Sequence, residues 1–179
     1  MLLARAFLDQ SLTLLRGEWL PKIEAAVESL GDDNLWWRPN AATNSAGTIC
    51  VHLAGNVRQW IVAGLGGAPD ARDRPAEFAT TGGRMAEDVL ADLRAAVDEA
   101  CAVIDGLDEA ALLQTYAIQG REPTGLRAVY HVVEHFAMHA GQVVWIAKAR
   151  GGAVRFYEDD PDGRARMLWT ATPTGPIAP

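Results

Sequence analysis

Lysine is nearly missing from this chain. Only Lys22 and Lys148 occur, beside fourteen arginines, and an excess of acid leaves a formal net charge of -7 over 179 residues. No stretch gathers enough positive charge to make the basic face that phosphate backbones require, which argues against nucleic acid as a partner. Cysteine is scarce too. Cys50 and Cys101 are too few for a disulfide framework and suit a reducing cytoplasm. Long apolar runs are absent, so no membrane span is expected, and the opening MLLARAFLDQSLTLLRGEWL is too charged and too helix-periodic for a signal peptide. These absences leave a soluble, cytoplasmic protein with no membrane or nucleic-acid partner. Its 49% hydrophobic content is enough for a packed core in one domain.

What is present is helical periodicity, in four long stretches. The first runs over about residues 3–30, with Phe7, Leu14, Leu15, Ile23 and Val27 on one face. Pro21 is expected to kink or divide it, and Gly31 to end it. The second opens at Asn44 or Ser45 and reaches about Leu65, burying Ile49, His52, Leu53, Val57, Trp60 and Ile61. The third spans about Met85 to Leu107, and the fourth about Thr124 to Gly151 and Gly152. Between the second and third lies GGAPDARDRPAEFATTGG, whose glycine, proline and charge read as a long loop. DEAALL suits a short extra turn and TYAIQGREPT a small hairpin. The expected architecture is all-α: a four-helix bundle over residues 1–152 with a long crossover loop, then an irregular C-terminal tail over 153–179, packed on or extending from the bundle and anchored by Leu168 and Trp169.

Histidine is scarce, with four in the chain, and its placement is uneven. Three of the four histidines, His131, His135 and His139, fall at intervals of four in YHVVEHFAMHAGQ. Residues four apart on a helix lie one turn above each other, so His135 and His139 can aim two imidazoles at one point. His131 lies one turn further back on nearly the same face. The fourth, His52, is on the apolar side of the second helix and should also point inward. Three neutral imidazoles from two helices would hold a divalent ion and leave positions open for water or substrate.

The segments HLAGNVRQWI and HVVEHFAMHAGQVVWI resemble the two signature segments of the DinB/YfiT-like family of metal-binding four-helix bundles. RDRPAEF and YAIQGREPTGL are similar to a bacterial branch of it, so the resemblance covers most of residues 1–150. The family pattern has one histidine on the second helix and an H-x-x-x-H on the last, just before a Gly-Gln step. Carried over, it implies His52, His135 and His139 as ligands, with nickel, zinc, manganese or iron as occupant. It also implies a metal-dependent enzyme that activates a thiol or a water, since relatives include S-transferases and isomerases using bacillithiol, mycothiol or glutathione. Thiolate addition to an electrophilic small molecule, or hydrolysis, is the implied reaction, with Glu134 or His131 handling the proton. A homodimer is implied as well. The alternative is a non-catalytic metal-binding stress or sensor protein.

A rival motif overlaps this one. His131-Val132-Val133-Glu134-His135 satisfies H-x-x-E-H, the inverted zinc-peptidase signature, with Glu134 as general base. It would need a downstream carboxylate, for which Glu158, Asp159 and Asp160 are the candidates. The Gly-Gln step and the position of His52 favour the first triad. Trp36, Trp37, Trp60 and Trp145 are candidates to wall an apolar pocket. Of Arg58, Arg72 and Arg74, Arg58 is the one kept as an anion contact, the others lying in a loop expected to be solvated. Cys50, on the far side of its helix from His52, is expected to be core.

Overall fold

Proline in a helix interior removes a donor and presses its ring on the carbonyl four residues back. A computed structural model, which describes residues 2–168, shows how the first helix absorbs Pro21. α1 (Leu2–Leu14) widens into one π-helical turn at Leu15–Trp19, where the Leu20 amide bonds the Leu15 carbonyl, and continues as α2 (Leu20–Leu35). Pro21 thereby falls in the first turn of α2, where a missing donor costs little. The rod ends its regular course at Gly31, with φ 61° and ψ -179°, a region essentially closed to residues with a Cβ. The turn beyond it brings the Asp32 carboxylate to the Ala86 amide, 2.6 Å away, at the start of a distant helix.

α3 (Ala46–Val57) begins at Ser45, whose hydroxyl accepts from the Thr48 amide at 3.1 Å. It runs into a second π-helical turn, Arg58–Ala63, closed by the Gly64 amide on the Gln59 carbonyl at 3.0 Å. The charged stretch that follows is not only loop. It contains α4 (Arg74–Ala79), capped by the Asp73 carboxylate on the Ala76 amide and carrying one buried residue, Glu77. α5 (Ala86–Asp105), the short α6 (Glu109–Leu113) and α7 (Gly125–Ala149) complete the helices.

α3 packs chiefly on α5 and α7, and α2 packs on the same two helices, so α2 and α3 occupy one diagonal of a four-helix bundle and α5 and α7 the other. Leu15, Ile23, Val27, Leu53, Val57, Leu93, Val97, Val132 and Phe136 fill the centre. Each such side chain contributes about 1.5–3 kcal/mol through burial. No described helix is long and apolar enough to cross a membrane.

Two small β features decorate the bundle. Between α6 and α7, Ile118 and Arg121 exchange backbone hydrogen bonds at 2.9 Å across Gln119 and Gly120, both with positive φ, as a type I′ turn demands. The hairpin expected there exists as two isolated bridges, Thr115 with Thr124 and Ile118 with Arg121. Beyond α7, part of the segment expected to be irregular forms an antiparallel hairpin of β1 (Tyr157–Asp159) and β2 (Ala165–Met167). Its turn is organised by the Asp160 carboxylate, which accepts from the amides of Asp162 at 3.0 Å and Arg164 at 2.8 Å. Leu168 is exposed rather than an anchor, and Trp169 lies outside the described residues.

A methyl added at Gly31 meets no atom within 4 Å, so only the backbone resists it. Gly31→Ala is expected to destabilise the fold by about 1–3 kcal/mol in urea unfolding. An unchanged midpoint would show that the turn relaxes without penalty.

Candidate metal centre

Val132, Phe136 and Val143 fill the core and thereby fix the rotation of α7. His131, His135 and His139 then share a face one turn apart, and that face meets α3. The His52 and His135 Nε2 atoms lie 3.0 Å apart. The His139 ring stands nearly perpendicular to both neighbours, 4.4 Å from His135 and 5.3 Å from His52 between centroids. One ring nitrogen from each of the three lies within 4.8 Å of the others, and among the described residues this is the one such convergence of three His, Cys, Asp or Glu side chains. Nitrogens sharing an ion at about 2.0–2.1 Å stand about 2.9–3.4 Å apart for angles between about 90° and 109°. The His52–His135 pair is at that spacing. Without an ion, one of its two nitrogens must carry a proton to make the contact favourable.

The outward nitrogens of two of these rings are tied. His139 Nδ1 is 2.7 Å from the Gln142 amide oxygen, and His52 Nδ1 is 2.9 Å from the Glu77 carboxylate. An acceptor on Nδ1 selects the tautomer whose Nε2 carries the lone pair, the usual support of a metal-bound histidine. Glu77 is itself clamped: Arg72 donates to its two oxygens at 2.7 and 2.9 Å and to Gln59 at 2.8 Å. The Glu77 and Arg72 side chains are only 7% and 3% exposed. Both come from the stretch read as a charged loop, and Arg72, expected to be solvated, is instead a buried clamp. No signal within that stretch marks Glu77. Gly55, one turn after His52, faces its carboxylate so closely that a Cβ there would overlap the oxygen.

Burial and mutual repulsion disfavour the charged forms of His135 and His139. Burial first, then His139 and His52, push His135 down to about 3, and burial with His52 pushes His139 down to about 4 against the opposing Gln142 bond. Burial also lowers His131. For Glu77 burial acts to raise the carboxyl, but the hydrogen bonds from Arg72 and His52 outweigh it and leave it below its usual value.

His131 stands beside the convergent group rather than within it. Its ring packs on Trp60 at 4.1 Å between centroids, and its Nδ1 is 3.7 Å from the Glu134 carboxylate. Glu134 is exposed and held by Arg127 at 3.1 Å. The pair required by H-x-x-E-H is therefore not the pair the fold brings to one point, and Glu158, a candidate third ligand, pairs with Arg166 in the hairpin. Of the tryptophans, Trp60 adjoins the site. Trp36 donates to the Arg84 carbonyl, Trp37 lies under Arg150, and Trp145 is exposed. Arg58 is spent on Asp92 and Glu99 of α5, at 2.8 and 3.1 Å, so its expected role as an anion contact gives way to ion pairing. Cys50 is buried core, its thiol pushed up to about 12 by burial.

Above the imidazoles opens a cavity of about 440 Å³ bounded by His52, His131, His135, Asn56 and arginines from α4 and the hairpin. Asn56 is buried and its Oδ1 has no hydrogen-bond partner. An orphan acceptor at that position fits a donor that the protein itself does not supply, such as an ordered water on an ion.

In the metal-free protein the depressed histidines set a pH dependence. Unfolded imidazoles take up protons near pH 6.5, well before His135 and His139 do in the fold, so protonation favours the unfolded chain. Stability should be full above pH 6.5 and fall from there toward pH 5, and His135→Ala should flatten the slope. A flat thermal midpoint over that window in the metal-free wild type would contradict it.

Comparison with known proteins agrees with this geometry at the level of fold. No curated protein matches the sequence. The crystal structure of a DinB-like protein from Bacillus cereus ATCC 10987 superimposes with a TM-score of 0.60 at 14% sequence identity, covering 79% of this chain and 93% of that one. The family described as "Protein of unknown function (DUF1572)" matches residues 3–153, from α1 to just past α7. This chain belongs to the DUF1572 family, and its bundle shares the fold of a DinB-like protein.

Proposed function

We propose that this protein is a metal-dependent enzyme in which His52, His135 and His139 hold a divalent transition ion at the floor of an open cavity. The observation that carries the reading is the meeting of three imidazoles beside a cavity rather than within a closed core. A structural zinc is sealed by four protein ligands, whereas a catalytic one keeps a position free. Nickel, zinc, manganese and iron all suit a set of imidazoles. When bound, the ion would lower the pKa of a coordinated water or low-molecular-weight thiol toward neutrality.

The chain's own residues do the rest. Arg72 keeps Glu77 ionised, and Glu77 keeps His52 oriented with Nε2 toward the site. His131, neutral and bordering the cavity, accepts the proton of the nucleophile, and Glu134 stabilises the imidazolium that forms. Trp60 holds the His131 ring in place from one side. The activated thiol or water then attacks an electrophilic small molecule, in an S-transferase or hydrolase reaction. Cytoplasmic location and a homodimer belong to the same proposal.

Protein purified without a histidine tag should carry close to one equivalent of a transition metal, and His139→Ala should lose it with little change in the metal-free thermal midpoint. Less than about a tenth of an equivalent after reconstitution would sink the reading. A midpoint that collapses with the ion, and no turnover of a general electrophile with any thiol, would instead indicate a non-catalytic metal protein. His131→Phe should keep the metal and lose turnover.

The clamp behind His52 makes a separate claim. Glu77→Gln, and Gly55→Ala by displacing the same carboxylate, should each weaken metal binding about 10–100-fold in a competitive chelator titration. Unaltered affinity in both would remove Glu77 from the site's design.

A further inference from the structure

The arginines of this acidic chain are largely neutralised by its own carboxylates. Arg5, Arg16, Arg58, Arg84, Arg94 and Arg127 all pair with Asp or Glu. Two that border the cavity above the histidines do not. Arg74 has its guanidinium over the Phe78 ring at 4.8 Å, and that ring is 4.7 Å from His52. Arg121 is exposed at the end of the type I′ turn that overhangs the cavity, next to Gln119. Among the described residues neither makes an ion pair. The acids nearest the histidines are already engaged, Glu77 by Arg72 and Glu134 by Arg127. Glu122 borders the adjoining hollow, shared with Arg121 and Arg127, rather than this cavity.

We infer that the substrate or cosubstrate of this cavity carries a carboxylate or phosphate group, which Arg74 and Arg121 bind while its reactive end reaches the histidine cluster. The inference deepens the metal-enzyme reading and rests on the same cavity. A guanidinium presents a planar fork of donors that matches two anionic oxygens, and two forks at one mouth make that match selective for anions over neutral analogues. Field lines from unpaired positive groups at a low-dielectric cleft also draw anions toward it, against the repulsion of a chain with net charge -7. The Arg74–Phe78–His52 stack fixes one guanidinium relative to a histidine of the cluster, so the anchor and the reacting position are set by one element, α4.

The test is isothermal titration of untagged, metal-loaded protein at low ionic strength with malonate, with inorganic phosphate, and with neutral malonamide. Metal content is measured on every sample. The expected result is saturable binding of at least one anion, none of malonamide, and at least a tenfold loss of anion affinity in the Arg74→Gln/Arg121→Gln double variant at unchanged metal content. Which anion binds more tightly distinguishes a carboxylate from a phosphate ligand. Binding of malonamide as tight as malonate, equal anion affinity in the double variant, or no anion binding to loaded wild type overturns the inference. Should the protein take up no metal, the same titration on metal-free protein separates the two readings. Arginine-dependent anion binding there upholds this inference while the metal reading falls, and its absence overturns both.

Discussion

The bond from His52 to the Glu77 carboxylate is the contact on which the site depends. A carboxylate this deeply buried is expensive unless its oxygens are hydrogen-bonded, and here Arg72 and His52 satisfy them. Removing one member of such a buried pair leaves an uncompensated charge, at a cost of about 3–5 kcal/mol. The group is therefore locked as a unit. Its placement in turn needs α4 lying against α3, which Thr48 secures by donating to the Thr80 carbonyl at 2.8 Å, and it needs the missing side chain at Gly55. A segment that looks like solvent-exposed linker is thus tied to the bundle at both ends of a six-residue helix.

Two π-helical turns interrupt the regular helices of the bundle. The first lets the chain pass Pro21 without breaking the rod. The second, Arg58–Ala63, follows His52 by less than two turns and contains Trp60. A wide turn rotates the residues after it relative to a regular helix, and such bulges recur at functional sites. Here the consequence is local: Trp60 is buried and its ring packs against His131, beside the histidine convergence. The turn also sends Arg58 toward α5, where Asp92 and Glu99 receive it.

The bundle and its histidine face were legible because both follow from periodicity. Apolar residues at helical spacing mark a buried face whatever it packs on, and His131, His135 and His139 share a face by arithmetic alone. His52 was legible for the same reason, being on the apolar stripe of its helix. Glu77 and Arg72 were not, because the information that buries them is nonlocal. In ARDRPAEFATT, composition says loop, and nothing in the stretch reveals that one glutamate will face a glycine on another helix. Gly55 holds the complementary half of that information and is silent without its partner. The hairpin after α7 has a fainter trace: the Asp-Gly step before Arg164 is a local turn signal in a segment without helical period.

Charge placement links the clamp to the cavity. Ion pairs such as Arg5 with Asp105 or Arg16 with Asp98 are exposed and contribute about 0–1 kcal/mol each, so their main effect is to cancel guanidinium charge over the helices. Around the histidines the balance differs. Burial disfavours charge on His135 and His139, Glu77 is matched by Arg72, and Arg74 and Arg121 add positive charge at the mouth. A dication held there would raise that potential further, and the protein offers no second buried carboxylate among the described residues to compensate. Such an environment penalises protonated, neutral nucleophiles relative to their anions, because the anion alone relieves the excess. On the proposed reading, the same arithmetic would favour a bound thiolate or hydroxide and an anionic substrate alike, and one set of arginines would serve both.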